Sequence, residues 1–145
     1  MIRLIRPEDR AQYIALAHEF YRSPAVHEPV PDSHFEATFD ELMRSDVYTA
    51  CYVVEEDQKL VAYMLLSRAF SQEAGGMVTW IEELYVKPEY RKRGISRALF
   101  DLLDKRDSES TRWRLEVTSE NEAAKRLYKK LGFTKTPYEQ MMAGQ

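Results

Sequence analysis

Near the middle of the chain a strand pattern runs straight into a helix pattern, and few architectures accept that junction. Residues 77–86 are rich in aromatic and branched side chains and read as one long strand, which Pro88 stops. Beyond a short basic loop, Ile95, Ala98, Leu99, Leu102 and Leu103 recur on one helical face. A strand that feeds an amphipathic helix in this way implies a layered α/β fold, with the helix packed back on its sheet. The connecting turn reads Arg91-Lys92-Arg93-Gly94-Ile95-Ser96. The first N–H groups of a helix have no partner inside it, and the positive end of its dipole lies there, so the turn suits an anion. Gly94 lets the backbone approach a ligand closely, and the three basic side chains suit a diphosphate. Taken alone, the hexapeptide reads equally well as an ordinary strand-to-helix turn with a solvated basic rim. It has neither a Walker Gly-Lys-Ser/Thr nor the spacing of a dinucleotide fingerprint.

The rest of the chain supplies the sheet and the covering helices. Residues 2–6 alternate apolar and basic, as a short half-buried strand does. Pro7, Glu8 and Asp9 open a helix whose stripe is Tyr13, Leu16, Ala17 and Phe20, with Ile14 and Tyr21 beside it. Pro24, Pro29 and Pro31 break it, and a second helix capped by Asp32 or Ser33 runs to about Arg44, with Phe35, Phe39, Leu42 and Met43 inward. Residues 49–54 and 60–67 read as a hairpin, and Gly75-Gly76 turns the chain into the long strand. After a polar connector or frayed helix end at 104–111, residues 112–118 alternate again, with Trp113, Leu115 and Val117 on one face. Ser119 is placed to cap a last helix carrying Ala123 or Ala124, Leu127, Tyr128 and Leu131, and Gly132 to end it. Residues 133–142 are expected to be extended. The expected order is βααβββαβα and a terminal strand, in one domain spanning residues 1–145.

Composition excludes several classes of function. A net charge of −3 is not that of a generally basic nucleic-acid binder, and no nucleic-acid partner is expected. The one cysteine, Cys51, rules out an internal disulfide and every multi-cysteine zinc site, and it reads as a buried thiol. His18, His27 and His34 match no metal spacing, so no metal is expected. No apolar run is long enough to cross a bilayer and the first residues do not resemble a signal peptide, so the expectation is a cytoplasmic protein without a membrane partner.

A second motif gives the basic turn its meaning. On the last helix, Asn121 and Tyr128 stand seven residues apart, two turns, and so share a face. With Ala124, Gly132 and Phe133 they fit the pattern Asn-x-x-Ala-x-x-x-Tyr-x-x-x-Gly-Phe, while Arg91, Gly94 and Ser96 fit Arg/Gln-x-x-Gly-x-Gly/Ala with Ser in the last place. In these two motifs, in this order, the chain resembles the GNAT superfamily of N-acetyltransferases. The resemblance implies a mixed central β-sheet with two splayed parallel strands, flanked by about four helices. It implies acetyl-CoA as co-substrate, with the strand backbone at Leu84, Tyr85 and Val86 along the pantetheine arm. The pyrophosphate would lie on Arg91, Lys92, Arg93, Gly94, Ile95 and Ser96, and Asn121 would touch the cofactor arm. Lys125 and Lys129 would lie near the adenosine phosphate. Tyr128 would return a proton to the leaving thiolate. A homodimer is a further expectation from the resemblance.

The general base is sought in Glu82 and Glu83, which sit together on the cofactor strand. Strand alternation sends neighbours to opposite faces, so only one of them can face the acceptor unless a bulge re-aims the other. Some polyamine-acetylating members carry an acidic pair here with the first acid as base, which favours Glu82 and keeps Glu83 as base or amine anchor. Residues 28–57 carry nine acids and one base, whereas residues 87–97 carry five bases and one acid. An acidic acceptor side suits a cationic small molecule, such as a polyamine, or a peptide amine. The competing reading is a catalytically silent, regulatory CoA-binding module, which has no need of Glu82, Glu83 and Tyr128.

Overall fold

The computed structural model describes residues 1–107 and 109–144. Its centre is a five-stranded sheet in the order β1-β2-β3-β4-β5, formed by Ile2–Leu4, Thr49–Glu56, Lys59–Ser71, Gly76–Val86 and Ser110–Leu115. Neighbours are antiparallel except β4 and β5, which are parallel. Four helices cover the sheet: α1 (Arg10–Tyr21), α2 (Asp32–Arg44), α3 (Ile95–Arg106) and α4 (Glu122–Lys130). The order through α4 is the one read from the sequence.

Each face of the sheet has its own core. Tyr13 and Leu16 of α1 and Phe39 of α2 pack on Val53, Tyr63, Leu65 and Tyr85. Leu99, Phe100 and Leu103 of α3 pack on Tyr52, Met64, Leu66 and Ile81 of the opposite face, with Tyr128 and Leu131 of the α4 region half-buried beside them. Cys51 is buried under α1, as its strand position implied. A charged pin holds the start of the chain: the Arg3 guanidinium donates to both Asp9 oxygens, at 2.7 and 2.9 Å, and to Glu55.

The parallel pairing is short. It runs from Met77 opposite Ser110 to Ile81 opposite Leu115 and stops, while β4 continues five residues to Val86. The paired end is tied down by a buried polar knot. Thr79 Oγ1 donates to Asp107 Oδ2 at 2.6 Å and lies 2.6 Å from Ser110 Oγ, and the Trp113 indole donates to the same Asp107 oxygen. Held at one end and unpaired at the other, β4 and β5 diverge.

Some details differ from the sequence reading, among them the cap of α2, which is Pro31 rather than Asp32 or Ser33. β5 starts at Ser110 and ends at Leu115 rather than spanning 112–118, because its only ladder partner is lost where the strands part; Val117 is exposed. The cap of α4 is Asn121, whose Oδ1 accepts from the Ala124 N–H at 3.2 Å, and not Ser119. Beyond α4 no strand forms among the described residues: Phe133 packs on Phe100 and Tyr128, and then Pro137 and polar neighbours break the alternation a strand needs. Of residues 104–111, read as a polar connector or a frayed helix end, the first three close α3, and Ser108 lies outside the described residues.

Candidate active site

The two glutamates are brought to one face by an irregularity in β4. Leu65 of β3 stands opposite Glu83 and Leu66 opposite Ile81, so Glu82 is an extra residue with no partner. Such a bulge cancels one step of the alternation. Both carboxylates therefore turn toward the α1 side of the sheet. Glu82 is exposed and accepts one hydrogen bond, from the Ser67 hydroxyl at 2.5 Å. Glu83 is more enclosed: one oxygen accepts from the Tyr63 hydroxyl at 2.7 Å and the other from the Tyr21 hydroxyl at the end of α1. Burial pushes the Glu83 carboxyl above the usual range, against the opposing pull of the two tyrosine hydrogen bonds. Burial likewise raises the Tyr21 and Tyr63 hydroxyls, and the carboxylate beside them adds to it, so both remain donors at neutral pH.

Where β4 and β5 part, a cleft of about 860 Å³ opens. Its walls include Leu84, Tyr85 and Val86 from the unpaired end of β4, Arg91, Lys92, Gly94, Ile95 and Ser96 from the turn into α3, and Asn121 and Tyr128 from α4. These are ten of the residues the sequence assigned to the cofactor. Gly94 is the N-cap of α3 at φ +78°, a left-handed conformation that glycine adopts without strain, and open space lies where a β-carbon would point. The turn thus presents bare backbone and the N–H groups at the start of a twelve-residue helix.

Some expected residues are engaged elsewhere. Arg91 Nε donates to the Val86 carbonyl at 2.9 Å and its guanidinium lies over the Tyr85 ring, so it braces the end of β4. Arg93 does not line the cleft; its guanidinium lies 5.0 Å from the centre of the Tyr90 ring. Lys125 turns back to the Ser119 carbonyl and Glu122, and Arg126 and Lys130, rather than Lys125 and Lys129, border the cleft. Tyr128 is wedged between Phe100 and Phe133, and burial raises its hydroxyl. Cys51 stays out of the site, with its thiol pushed up by burial. His18 Nε2 lies 2.8 Å from Asp32, linking α1 to α2, and no metal-holding cluster exists among the described residues.

Sequence reasoning missed the fourth wall of the cleft, made by Phe20, Ser23, Pro24 and Ala25 where α1 runs into its loop. It also missed that Tyr21 and Tyr63 converge on Glu83. The only signal was a tyrosine in each of two core stripes, a pattern that ordinary packing also produces.

Comparison with known proteins agrees with this geometry. The model of the acetyltransferase (GNAT) family matches residues 11–133. A search of curated protein sequences returns no match. Among solved structures, a possible acetyltransferase from Clostridium difficile 630 superposes with a TM-score of 0.85 at 22% identity, covering 100% of this chain and 97% of that one. The aminoglycoside acetyltransferase AAC(6')-Iy, in complex with a bisubstrate analogue of CoA and acetylneamine, gives 0.82 at 17% identity, covering 100% and 97%. A ribosomal-protein-alanine N-acetyltransferase from Brucella melitensis biovar Abortus 2308 gives 0.75 at 18% identity, covering 100% and 99%. At such identities the likeness concerns the fold, and the family match covers most of the chain. With its splayed strands, basic glycine turn and two motifs in order, the chain belongs to the GNAT family of acetyltransferases.

Proposed function

We propose that the protein transfers the acetyl group of acetyl-CoA to a cationic primary amine, by direct attack within a ternary complex. The observation that carries this reading is the β4 bulge, which turns Glu82 and Glu83 to one side just before the unpaired strand end that borders the cleft. The pyrophosphate is assigned to the turn around Gly94 and the pantetheine arm to Leu84, Tyr85 and Val86. N–H groups of that strand left without a partner on β5 are free to stabilise the charge that develops on the thioester oxygen.

An amine reaches the site as an ammonium ion and must lose a proton before it attacks. Glu82 is the assigned base: it is exposed and has one oxygen without a protein partner. The neutral nitrogen attacks the thioester carbon, the carbon–sulfur bond breaks, and the thiolate takes a proton from the Tyr128 hydroxyl. The second proton, shed by the nitrogen as it becomes an amide, restores the phenol through water. Glu83 is assigned as an anchor, since both its oxygens already accept from tyrosines. The acceptor class is a polyamine-like small molecule or a peptide amine, drawn by the acids of the α1–α2 side.

The test is CoA release by the purified protein over polyamines, aminoglycosides, amino acids and short peptides. Glu82→Gln is expected to lower kcat by about 10²-fold to 10⁴-fold with acetyl-CoA affinity unchanged by calorimetry. Wild-type turnover in that variant removes Glu82 as the base. Acetyl-CoA binding with no turnover on any amine refutes the transferase reading.

A further inference from the structure

The tyrosine pair on Glu83 is unequal, and the difference bears on how the acceptor is held. Tyr63 is fully buried in the sheet, 0% exposed, so its hydroxyl has only the carboxylate to serve. Tyr21 is the last residue of α1 and is partly exposed. Phe20 before it and Ser23 after it line the cofactor cleft, and Glu83, its partner, directly precedes Leu84, which lines the same cleft. On its other side the Tyr21 ring meets Phe35 at 5.1 Å, next to the exposed acids Asp32 and Glu36 of α2. Tyr21 thus stands at the margin of the cleft, between the residues that line it and the Phe35 contact to α2.

A phenol has one proton to donate, and Tyr21 gives it to Glu83. Its oxygen then keeps acceptor capacity, and hydrogen bonding to a carboxylate makes that oxygen a stronger acceptor. An oxygen of this kind, fixed in direction by a buried carboxylate that Tyr63 holds from beneath, suits an amine N–H. We infer that Tyr21 is the acceptor-positioning residue: its oxygen accepts a hydrogen bond from the reacting primary amine, while Glu83 and Tyr63 fix its orientation. This rests on the proposed transferase reading, and it adds a binding role for a side chain outside both motifs. The bond to Tyr21 and the proton given to Glu82 together require at least two hydrogens on the ammonium nitrogen, which a primary amine supplies, and loss of the proton frees the lone pair that attacks. A tertiary amine lacks the required hydrogens.

Tyr21→Phe and Tyr63→Phe separate this inference from simple support of Glu83. Both remove one hydrogen bond to the same carboxylate, so a structural role predicts similar losses. The inference predicts that Tyr21→Phe raises KM for spermidine by about 10-fold or more, the worth of a hydrogen bond to a charged group, with KM for acetyl-CoA unchanged. Tyr63→Phe loosens Glu83 but leaves the Tyr21 oxygen in place to accept, so spermidine KM should rise by a clearly smaller factor, about 2-fold to 3-fold. Calorimetric titration of spermidine into the CoA-bound protein gives a second readout that needs no turnover, with thermal melts confirming that both variants fold. Tyr21-dependent spermidine binding with no turnover on any amine would support Tyr21 as an amine-binding residue and refute the transferase reading. Turnover with equal KM in wild type and Tyr21→Phe would refute the inference and leave that reading standing. Equal losses in the two variants, or no amine binding in any form, would overturn it.

Discussion

At the scale of single residues, the site pairs groups whose proton affinities are set by burial. Tyr128 is packed between two phenylalanines with its hydroxyl raised by burial. It thus stays protonated at neutral pH, the state needed by the acid proposed for the leaving group. Tyr128→Phe preserves the ring and its packing. It is expected to fold normally and bind acetyl-CoA as wild type does, yet turn over at least 10-fold more slowly, within the range for loss of a general acid. Steady-state kinetics beside calorimetry checks this. Glu83 is likewise raised by burial. Its folded carboxyl holds a proton to higher pH than the unfolded chain does, so its contribution to stability is complete below the ordinary glutamate range. That contribution is lost as pH climbs through the raised value. Glu83→Gln cannot titrate. Urea melts from about pH 4 to about pH 8, starting near the ordinary carboxylate value, should therefore show wild type losing more stability with rising pH than the variant. Parallel pH curves would contradict the assignment.

At the scale of elements, the working unit is β4, paired on both edges along its first half and on one edge along its second. A register that ends at Ile81 opposite Leu115 leaves the strand end without a second ladder: the Val86 carbonyl takes the Arg91 guanidinium, and N–H groups on the open edge are left to a ligand or water. Amides of β4 beyond Ile81 that face β5 are expected to exchange with solvent fast in the free protein. They should slow by more than about 10-fold when acetyl-CoA binds, as protection follows hydrogen bonding, while the amides paired to β3 change little. Exchange read by mass spectrometry or NMR decides it, and uniform slowing along β4 would count against backbone pairing to the cofactor.

Much at this scale was legible. The helical stripe of Leu99 and Leu103 and the turn at Gly94 depend on local spacing, so pattern alone placed α3 and its loop. The bulge was legible only as a condition: Glu82-Glu83 said that one acid must face away unless alternation fails, and alternation fails. The end of β5 and the meeting of Tyr21, Tyr63 and Glu83 were hidden for a different reason. They depend on which strands lie side by side and on contacts spanning 20 and 62 residues, and no local period encodes those.

At the scale of the whole molecule, the net charge of −3 conceals a division. Basic side chains gather at the turn into α3, and acids gather on α2 and the loops around it. Several of those acids serve the fold: Asp32 pairs with His18, Asp40 with Arg10, Glu41 with Arg44 and Glu55 with Arg3. Glu28 and Glu36 are exposed and flank Asp32 at the start of α2, close in sequence to the Phe35 ring that touches Tyr21. They act on an approaching ligand at a distance and through water, where each charge is worth a fraction of a kcal/mol and salt screens it within about 10 Å. Reversing both, as Glu28→Lys with Glu36→Lys, should therefore raise KM for a cationic amine by about 3-fold to 10-fold at low ionic strength. The effect should fade as salt is added, because screening weakens the field that wild type and variant do not share. KM for acetyl-CoA, an anion assigned to the basic turn into α3, should not rise in the variant. An acceptor KM that ignores both the reversal and the salt would mean that the acids on this side only solvate the helix. The acceptor would then be selected by contacts at Tyr21 and Glu82 alone.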